Sequence, residues 1–171
     1  MSRPEKTTRR SLPEIKTEPE FEQRLVDLAR VTRVVRGGKR LSFRACIVIG
    51  NRKGKVGVGV AKGADVALAV EKAVRQANKD LINISIVNET IPYWVKMKYG
   101  AARVLLRPAP KGHGIVAGGA VRTVLVLAGI KNVTAKILGS RNKINNVRAT
   151  INALAAFDIE ITNNKSQGAN K

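Results

Sequence analysis

The apolar and polar positions in the first part of the chain predict three β-strands. A segment rich in Val and Arg, from about Leu25 to Val35, is followed by two glycines and a second β-prone segment. Glycine tolerates the positive φ of tight hairpin turns, so the two segments predict a hairpin that turns at Gly37 and Gly38. Turn-forming residues at 51–54 then precede KVGVGVAKG, which predicts a third strand.

After the third strand, the apolar residues recur with the period of a helix. Polar and charged side chains occupy one face of residues 64–82. The other face consists of Val66, Ala69, Val70, Ala73, Val74 and Ala77. We expect this amphipathic helix to cover one face of the three-stranded sheet. A small sheet backed by one helix, with basic loops, is similar to part of a double-stranded RNA-binding domain.

The second half of the chain predicts further strands. Residues 93–108 have the pattern of two strands that turn at Gly100, and residues 131–140 have that of one more. Between them lies a loop rich in Gly and Pro, at residues 108–119. Pro92 breaks the segment that connects this region to the first one.

Two helices are predicted among these strands. A short helix should end at Gly129, because glycine commonly ends helices in the left-handed conformation. A longer helix is predicted within residues 140–157, with Asn145 or Asn146 as its N-cap. The chain is therefore predicted to be an α+β protein made of two units.

The same patterns divide the chain into four segments. Polar, proline-containing residues 1–20 predict a flexible tail, and residues 21–84 form the first unit. Residues 85–157 form the second unit, and polar residues 158–171 predict a loose tail.

The net charge of the chain indicates what kind of partner it binds. The 171 residues include 32 Lys and Arg but only 12 Asp and Glu, a formal charge of +20. No acid occurs from Leu28 to Ala64 or from Thr90 to Phe157. An ordinary solvated surface mixes both signs, so these tracts indicate a polyanionic partner such as nucleic acid.

Several classes of protein are disfavoured by the residues present. Cys46 is the only cysteine, so the chain can form neither an internal disulfide nor a cysteine-based zinc site, and we expect Cys46 to pack as a small apolar side chain. No cofactor is predicted. The N-terminus lacks an apolar secretory segment, and the most apolar run, residues 114–130, is short for a membrane span and contains Arg122. We therefore expect no membrane partner.

Enzymatic chemistry also has few candidate residues. His113 is the only histidine, and no nearby carboxylate in the sequence could orient it. GNRKGKV, at residues 50–56, has three residues between its glycines where a phosphate-binding loop has four, and Val56 replaces the hydroxyl that would bind magnesium. The sequence therefore predicts no catalytic residues.

The basic turns and strand ends are the candidate RNA-binding site. Arginine forms bidentate hydrogen bonds to phosphate oxygens, and glycine allows the protein backbone to approach a phosphate backbone closely. The candidate residues are Arg33, Arg36, Gly37, Gly38, Lys39, Arg40, Arg44, Arg52, Lys53, Lys55 and Lys62. Because aromatic residues are only 4% of the chain, recognition of RNA shape is favoured over stacking on bases.

A second candidate site is the segment GHGIVAGGAVR. Its side chains are small and uncharged as far as Arg122, which suits a close backbone contact. Two interpretations stand about equal: a tight loop that leads into a helix, or a contact with another protein. The candidate contact residues are Gly112, Gly114, Gly118, Gly119 and Arg122.

Five blocks in order give a resemblance to a known family. They are RVVRGGKRLSFRACIVIGNRKGKVGVGVAKG, TIP, GAARVLLRPAP, GHGIVAGGAVRTVLVLAGI and LGSRNKINNVRATINAL. Together they resemble the bacterial small-subunit ribosomal protein S-five family from about Leu25 to Leu154. The resemblance implies an RNA-binding first domain and a second domain that is an α+β sandwich, shared in fold with some phosphotransferases without implying their activity.

The resemblance also implies a function and partners. The protein would be a structural constituent of the small ribosomal subunit that binds its ribosomal RNA, in a bacterial cytoplasm or an organelle. It would contact the S-four and S-eight proteins, lie near S-three at the messenger RNA entry channel, and support assembly and decoding accuracy. No homo-oligomer is expected. Arg36, Gly37, Gly38 and Lys39 match the hairpin tip that reaches RNA, and Gly114 and Arg122 match the contact with S-four.

Some residues depart from the family pattern. Lys111 stands where a neutral or acidic residue is common, Val126 where Glu is usual and Lys143 where Pro is usual, and IPYW replaces IPH. Which polar side chains pair at the S-four contact is therefore not settled by the resemblance. The alternative function is a free-standing binder of double-stranded RNA or an RNA chaperone, which shares the charge pattern but would lie outside ribosomes.

Overall fold

The structure, a computed structural model, describes the chain over residues 21–168 and its side chains over residues 21–157. The flexible tail predicted for residues 1–20 lies outside the described residues. The elements in chain order are β1 (Glu22–Val35), β2 (Gly38–Gly50), β3 (Lys55–Gly63), α1 (Val66–Lys79), β4 (Leu81–Asn83), β5 (Val95–Tyr99), β6 (Ala102–Pro108), β7 (Ile115–Val116), α2 (Gly119–Ala128), β8 (Val133–Ile137) and α3 (Lys143–Gly168).

The first sheet is antiparallel throughout, in the order β1-β2-β3-β4. The three predicted strands and the helix after them are present. The prediction of a three-stranded sheet is wrong by one strand, because the three residues of β4 pair with the start of β3. A strand this short has no alternating pattern of its own, so nothing in the sequence separates it from the end of α1.

Helix α1 lies unusually close to this sheet. Ala69, Ala73 and Ala77 on its apolar face are fully buried. They face Gly57, Gly59 and Gly63 on β3, where an added Cβ would collide with the backbone of the helix. Small residues on both surfaces therefore bring the helix and the strand into backbone contact.

The second sheet has the order β5-β6-β8-β7, and α2 and α3 cover one face of it. Strands β5 and β6 turn at Gly100, as predicted. The two-residue strand β7 was not predicted. It pairs with β8 in parallel, from Ile115 opposite Val133.

The helix ends agree with the predictions in one place and differ in another. Gly129 caps α2 with φ 89°, as predicted. The N-cap prediction for α3 is wrong: Oδ1 of Asn142 accepts from the amides of Ile144 and Asn145, at 3.1 and 3.4 Å. Asn146 is instead buried and donates to the carbonyl of Ser140 at 3.0 Å.

The predicted loose tail also needs correction. Helix α3 continues to Gly168, so the backbone is helical well past residue 158, where the loose tail was predicted to begin. These residues contain no proline, and a polar composition alone does not end a helix that packing has already started.

One apolar core joins the two units. Val48 and Val56 of the first sheet lie in the same cluster as Leu125 and Leu127 of α2. At the turn after β2, the amides of Arg52 and Gly54 donate to carbonyls at the end of α2, each at 2.9 Å. The first sheet is therefore held at a fixed angle to the second unit.

Candidate nucleic-acid interface

The β1–β2 hairpin projects beyond the rest of the first sheet. Strand β3 pairs with β2 only from Phe43 to Gly50, so residues 31–42 form a two-stranded ribbon, here called the arm. Residues 32–41 are all exposed. At 3.3–3.4 Å per residue, the arm reaches roughly 20 Å from the body of the protein.

The turn of the arm differs by one residue from the prediction. Val35 pairs with Gly38, so Arg36 and Gly37 form the tip and Gly38 is the first residue of β2. Gly38 has φ 133°, a conformation that side chains rarely adopt. Gly37 has no atom within 4 Å of the position of an added Cβ. The tip is therefore slim, and its arginine is exposed.

The two faces of the arm differ in chemistry. On one face Arg33 lies directly opposite Arg40, and on the other Val34 lies opposite Lys39 and Thr32 opposite Leu41. Like charges opposite each other destabilise a strand pair. Because no acid lies nearby in sequence, a polyanion is the partner that would relieve this repulsion.

Arg44 and Lys62 lie at the base of the arm, paired across β2 and β3. Arg44 is only partly exposed, and its guanidinium is 3.6 Å from a carboxylate oxygen of Asp27. The other oxygen of Asp27 accepts from Lys143 at 3.2 Å. Asp27 thus connects the arm to α3. It follows a β-bulge that the sequence does not reveal.

Arg52, Lys53 and Lys55 lie at the other end of β2, roughly 40 Å from the tip by strand length. Oδ1 of Asn51 accepts from the amides of Lys53 and Lys55, at 2.8 and 3.0 Å, which fixes this turn. The guanidinium of Arg52 donates to Glu22 at 2.6 Å. The predicted RNA-binding residues therefore form two separate groups, and the arm carries the denser one.

Asn132 organises the glycine-rich segment. Its side chain is almost fully buried, and its Oδ1 accepts from the amides of Gly112 and Gly114, each at 3.1 Å. Both glycines have positive φ, 87° and 75°. The Asn132 carbonyl accepts from the hydroxyl of Thr90 at 2.5 Å. No sequence pattern marks Asn132, because its partners are distant along the chain.

The other predicted protein-contact residues surround the start of α2. A Cβ on Gly118 would lie 2.8 Å from Cδ1 of Ile137, the end of a side chain that can move, so close packing accounts for this glycine only in part. Gly119 has open space beside it and lines a cleft of about 750 Å³ together with Arg141 and Lys143. Arg122 is exposed on the first turn of the helix. Tight packing therefore explains part of the segment, and the protein contact stays a prediction.

Other chemistry has little support in the described part of the chain. Within it, no three His, Cys, Asp or Glu side chains come together as metal ligands. No helix in residues 21–168 is long and apolar enough to cross a membrane. Cys46 is fully buried, and burial, with the charge of Asp27, raises the pKa of its thiol to about 11. Cys46 packs as a small apolar side chain, as predicted.

Comparisons with known proteins agree with this fold. Residues 21–85 match the family model for the N-terminal domain of ribosomal protein S5, and residues 97–158 match that for its C-terminal domain. Small ribosomal subunit protein uS5c of Guillardia theta is 54% identical over 138 residues, 80% of this chain and 82% of that protein. Small ribosomal subunit protein uS5 of Thermosynechococcus vestitus is 51% identical over 150 residues, 87% of this chain and 86% of that protein. The chain belongs to the ribosomal protein S5 family.

Proposed function

We propose that this protein is a structural constituent of the small ribosomal subunit and that it binds ribosomal RNA through the arm. The observation that carries the proposal is an exposed ribbon with Arg33 and Arg40 facing each other and Arg36 at its tip. The family is one of structural ribosomal proteins, and relatives of about 50% identity carry the name of the small subunit. No catalytic step is proposed.

The arm is better suited to recognising the shape of an RNA than its sequence. A two-stranded ribbon presents its cations along two edges, where they can reach phosphates on both sides of a groove. Its side chains are arginine, lysine, aliphatic and hydroxyl groups with no aromatic ring, so they can contact phosphates and sugars without stacking on bases. An isolated hairpin is marginally stable in water, so binding would also order the arm.

Salt dependence is the first test of the arm. We expect the variant Arg36→Gln, Lys39→Gln, Arg40→Gln to bind a duplex fragment of small-subunit ribosomal RNA more weakly. The slope of log K against log salt should fall by about one for each phosphate that the variant no longer neutralises, or about three in all. Equal slopes for variant and wild type would remove the assigned role of the arm.

A matched control removes the same charge elsewhere. Lys72, Arg75 and Lys79 lie on α1, and the one ion pair that they form with residues the structure describes, Arg75 with Glu71, is exposed. Replacing these three with Gln lowers the net charge equally. If the slope of the control variant falls as much as that of the arm variant, net charge explains the binding and the arm has no special part.

Fractionation of a cell lysate tests whether the protein is part of the small ribosomal subunit. We expect the chain to remain with small subunits in equimolar amount after a high-salt wash and a sucrose gradient. Release into light fractions while subunits stay intact would favour the alternative of a free-standing double-stranded RNA binder or chaperone.

We also propose that the glycine-rich segment contacts the S-four protein, through Gly112, Gly114, Gly118, Gly119 and Arg122. The supporting observations are the open space beside Gly112, Gly114 and Gly119 and the exposure of Arg122. Contacts with S-eight, a position near S-three at the messenger RNA entry channel, and support of assembly and accuracy belong to the same proposal. Crosslinking from Arg122→Cys inside assembled subunits, in which Cys46 stays buried, should label S-four; labelling of RNA alone would contradict it.

A further inference from the structure

The second sheet has one open face that the arm does not involve. Helices α2 and α3 cover the other face, where Val104, Leu106, Val133 and Ala135 are buried. The residues that alternate with them point outward. The outward set, here called the basic sheet face, consists of Lys96, Lys98, Arg103, Leu105, Arg107, Thr134 and Lys136.

The basic sheet face carries five cations and no acid. Cross-strand pairing places Lys96 and Lys136 on either side of Leu105, and Arg103 opposite Lys98. None of these five cations forms an ion pair among the described residues, because residues 90–157 contain no Asp or Glu and the described pairs lie elsewhere. This unbalanced charge favours a polyanionic partner over an acidic patch on a protein, which would need matched acids at fixed points.

A single exposed aromatic ring stands at the edge of this face. Trp94 is 64% exposed. Every other aromatic side chain of the protein is at least half-enclosed: Tyr93 packs edge-on against buried Phe157 at 4.9 Å, and Tyr99 accepts from Arg148 at 2.8 Å. Trp94 is therefore the one ring of the chain that is free to stack on a base.

The ring and the cations border one shallow hollow. Trp94, Lys96, Leu105, Arg107, Pro108 and Leu138 line a space of about 510 Å³. A second, smaller hollow of about 260 Å³ is lined by Leu105, Arg107, Thr134 and Lys136, and so shares Leu105 and Arg107 with the first. The combination is an aromatic and aliphatic floor with cations on both sides, the arrangement by which proteins hold unpaired nucleic acid.

We propose that the basic sheet face binds an unpaired stretch of RNA, with a base stacked on Trp94 and phosphates on Lys96, Arg107 and Lys136. A duplex hides the faces of its bases, so it cannot use the ring; an unpaired strand can use both ring and cations. The inference rests on the proposed function in that its ligand is RNA. It adds a second site on the other unit, which prefers unpaired RNA where the arm prefers duplex RNA.

Fluorescence tests the site directly because Trp94 is the only tryptophan. We expect a twelve-residue oligoadenylate to quench its emission saturably in the full chain, and a duplex of the same length to quench it little. Trp94→Ala should weaken oligoadenylate binding roughly tenfold, measured by anisotropy of a labelled strand, and Trp94→Phe should weaken it less. Equal quenching by duplex and single strand, or unchanged affinity in Trp94→Ala, would overturn the proposal.

Charge variants separate this site from the arm. Lys96→Gln with Arg107→Gln should weaken the quenching, whereas Lys72→Gln with Lys79→Gln on α1 removes the same charge and should leave it unchanged. The arm variant should bind the duplex more weakly and keep oligoadenylate quenching. If the arm variant abolishes both, one shared site exists and this inference fails. If the arm variant keeps duplex binding while Trp94 is still quenched, the role of the arm fails and this inference stands. Melting curves of each variant establish that it is folded.

Discussion

The contact between α1 and β3 gives a sharp test of the fold. An added Cβ on Gly59 would lie 2.7 Å from the amide nitrogen of Ala77 and closer still to the carbonyl oxygen of Ala73. Both atoms belong to the helix backbone, so no side-chain rotation can relieve the collision. To restore an ordinary contact near 3.5 Å to the carbonyl oxygen, which is the nearer of the two atoms, the helix must lift from the sheet by roughly 2 Å.

That displacement sets the size of the effect. Lifting α1 opens the small core in which Ala69, Ala73 and Ala77 pack against Ile47 and Ile49. Overpacking of this kind costs typically 1–3 kcal/mol, and we place Gly59→Ala at the upper end, about 3 kcal/mol, because rigid backbone must move. For a chain of this size that corresponds to a fall in Tm of about 6–12 °C.

The assay is urea and thermal unfolding followed by circular dichroism, with Gly119→Ala as the matched control. Gly119 receives the same added methyl group but has no atom within 4 Å of it, and it is the first residue of a helix. We expect Gly119→Ala to leave stability unchanged or raise it by up to about 1 kcal/mol. If Gly59→Ala is as stable as the control, the backbones of α1 and β3 are not in contact at Gly59.

Three further outcomes follow from buried and paired groups. Asn132→Ala should cost about 1–2 kcal/mol in urea unfolding, because the amides of Gly112 and Gly114 lose their shared acceptor and water replaces it only in part; Asn132→Asp keeps an acceptor, and its smaller cost would confirm this cause. The Cys46 thiol, with its pKa raised to about 11, should not react with a thiol reagent at mildly alkaline pH until the protein unfolds; rapid reaction of the native chain would contradict its burial. Hydrogen bonds from Arg24, then Arg52, hold the pKa of Glu22 below its ordinary value of 4.5, so this pairing stabilises the fold above that pH, and the stabilisation disappears as pH falls through the lowered pKa. Melting curves of Glu22→Gln should therefore change less between neutral and acid pH than those of wild type, and equal changes would contradict the pairing.

Periodicity and glycine chemistry predicted most of the elements because both act locally. The stripe from Val66 to Ala77 and the cap at Gly129 depend on neighbours within a few residues, and the structure has both. Strands β4 and β7 escaped prediction since two or three residues carry no period, and they form only because a partner strand is already in place. The N-cap of α3 was misplaced because three asparagines lie within five residues and only packing selects among them.

The candidate sites were harder to predict because they depend on distance in space. Basic residues that are close in sequence lie at opposite ends of β2, since a strand of thirteen residues separates its ends widely. Asp27 and Asn132 act on partners far along the chain, which no local pattern encodes. The low aromatic content predicted recognition of RNA shape, which stays a prediction. It did not reveal the exposed ring of Trp94, because an average composition says nothing about the exposure of one side chain.

The function proposed for the arm depends on how the arm is attached to the rest of the protein. Placing Arg33 opposite Arg40 costs stability that a sequence selected for folding alone would avoid. The body behind the arm is correspondingly rigid: side chains at Gly50 or Gly129 would collide with the carbonyls of Leu127 and Arg52, so the first sheet and α2 are locked together. Because the arm and the basic sheet face are attached to this one core, binding at one site fixes where the other can reach. A protein built this way can hold two regions of RNA, one paired and one unpaired, at a set separation, which a flexible connection between the units could not do.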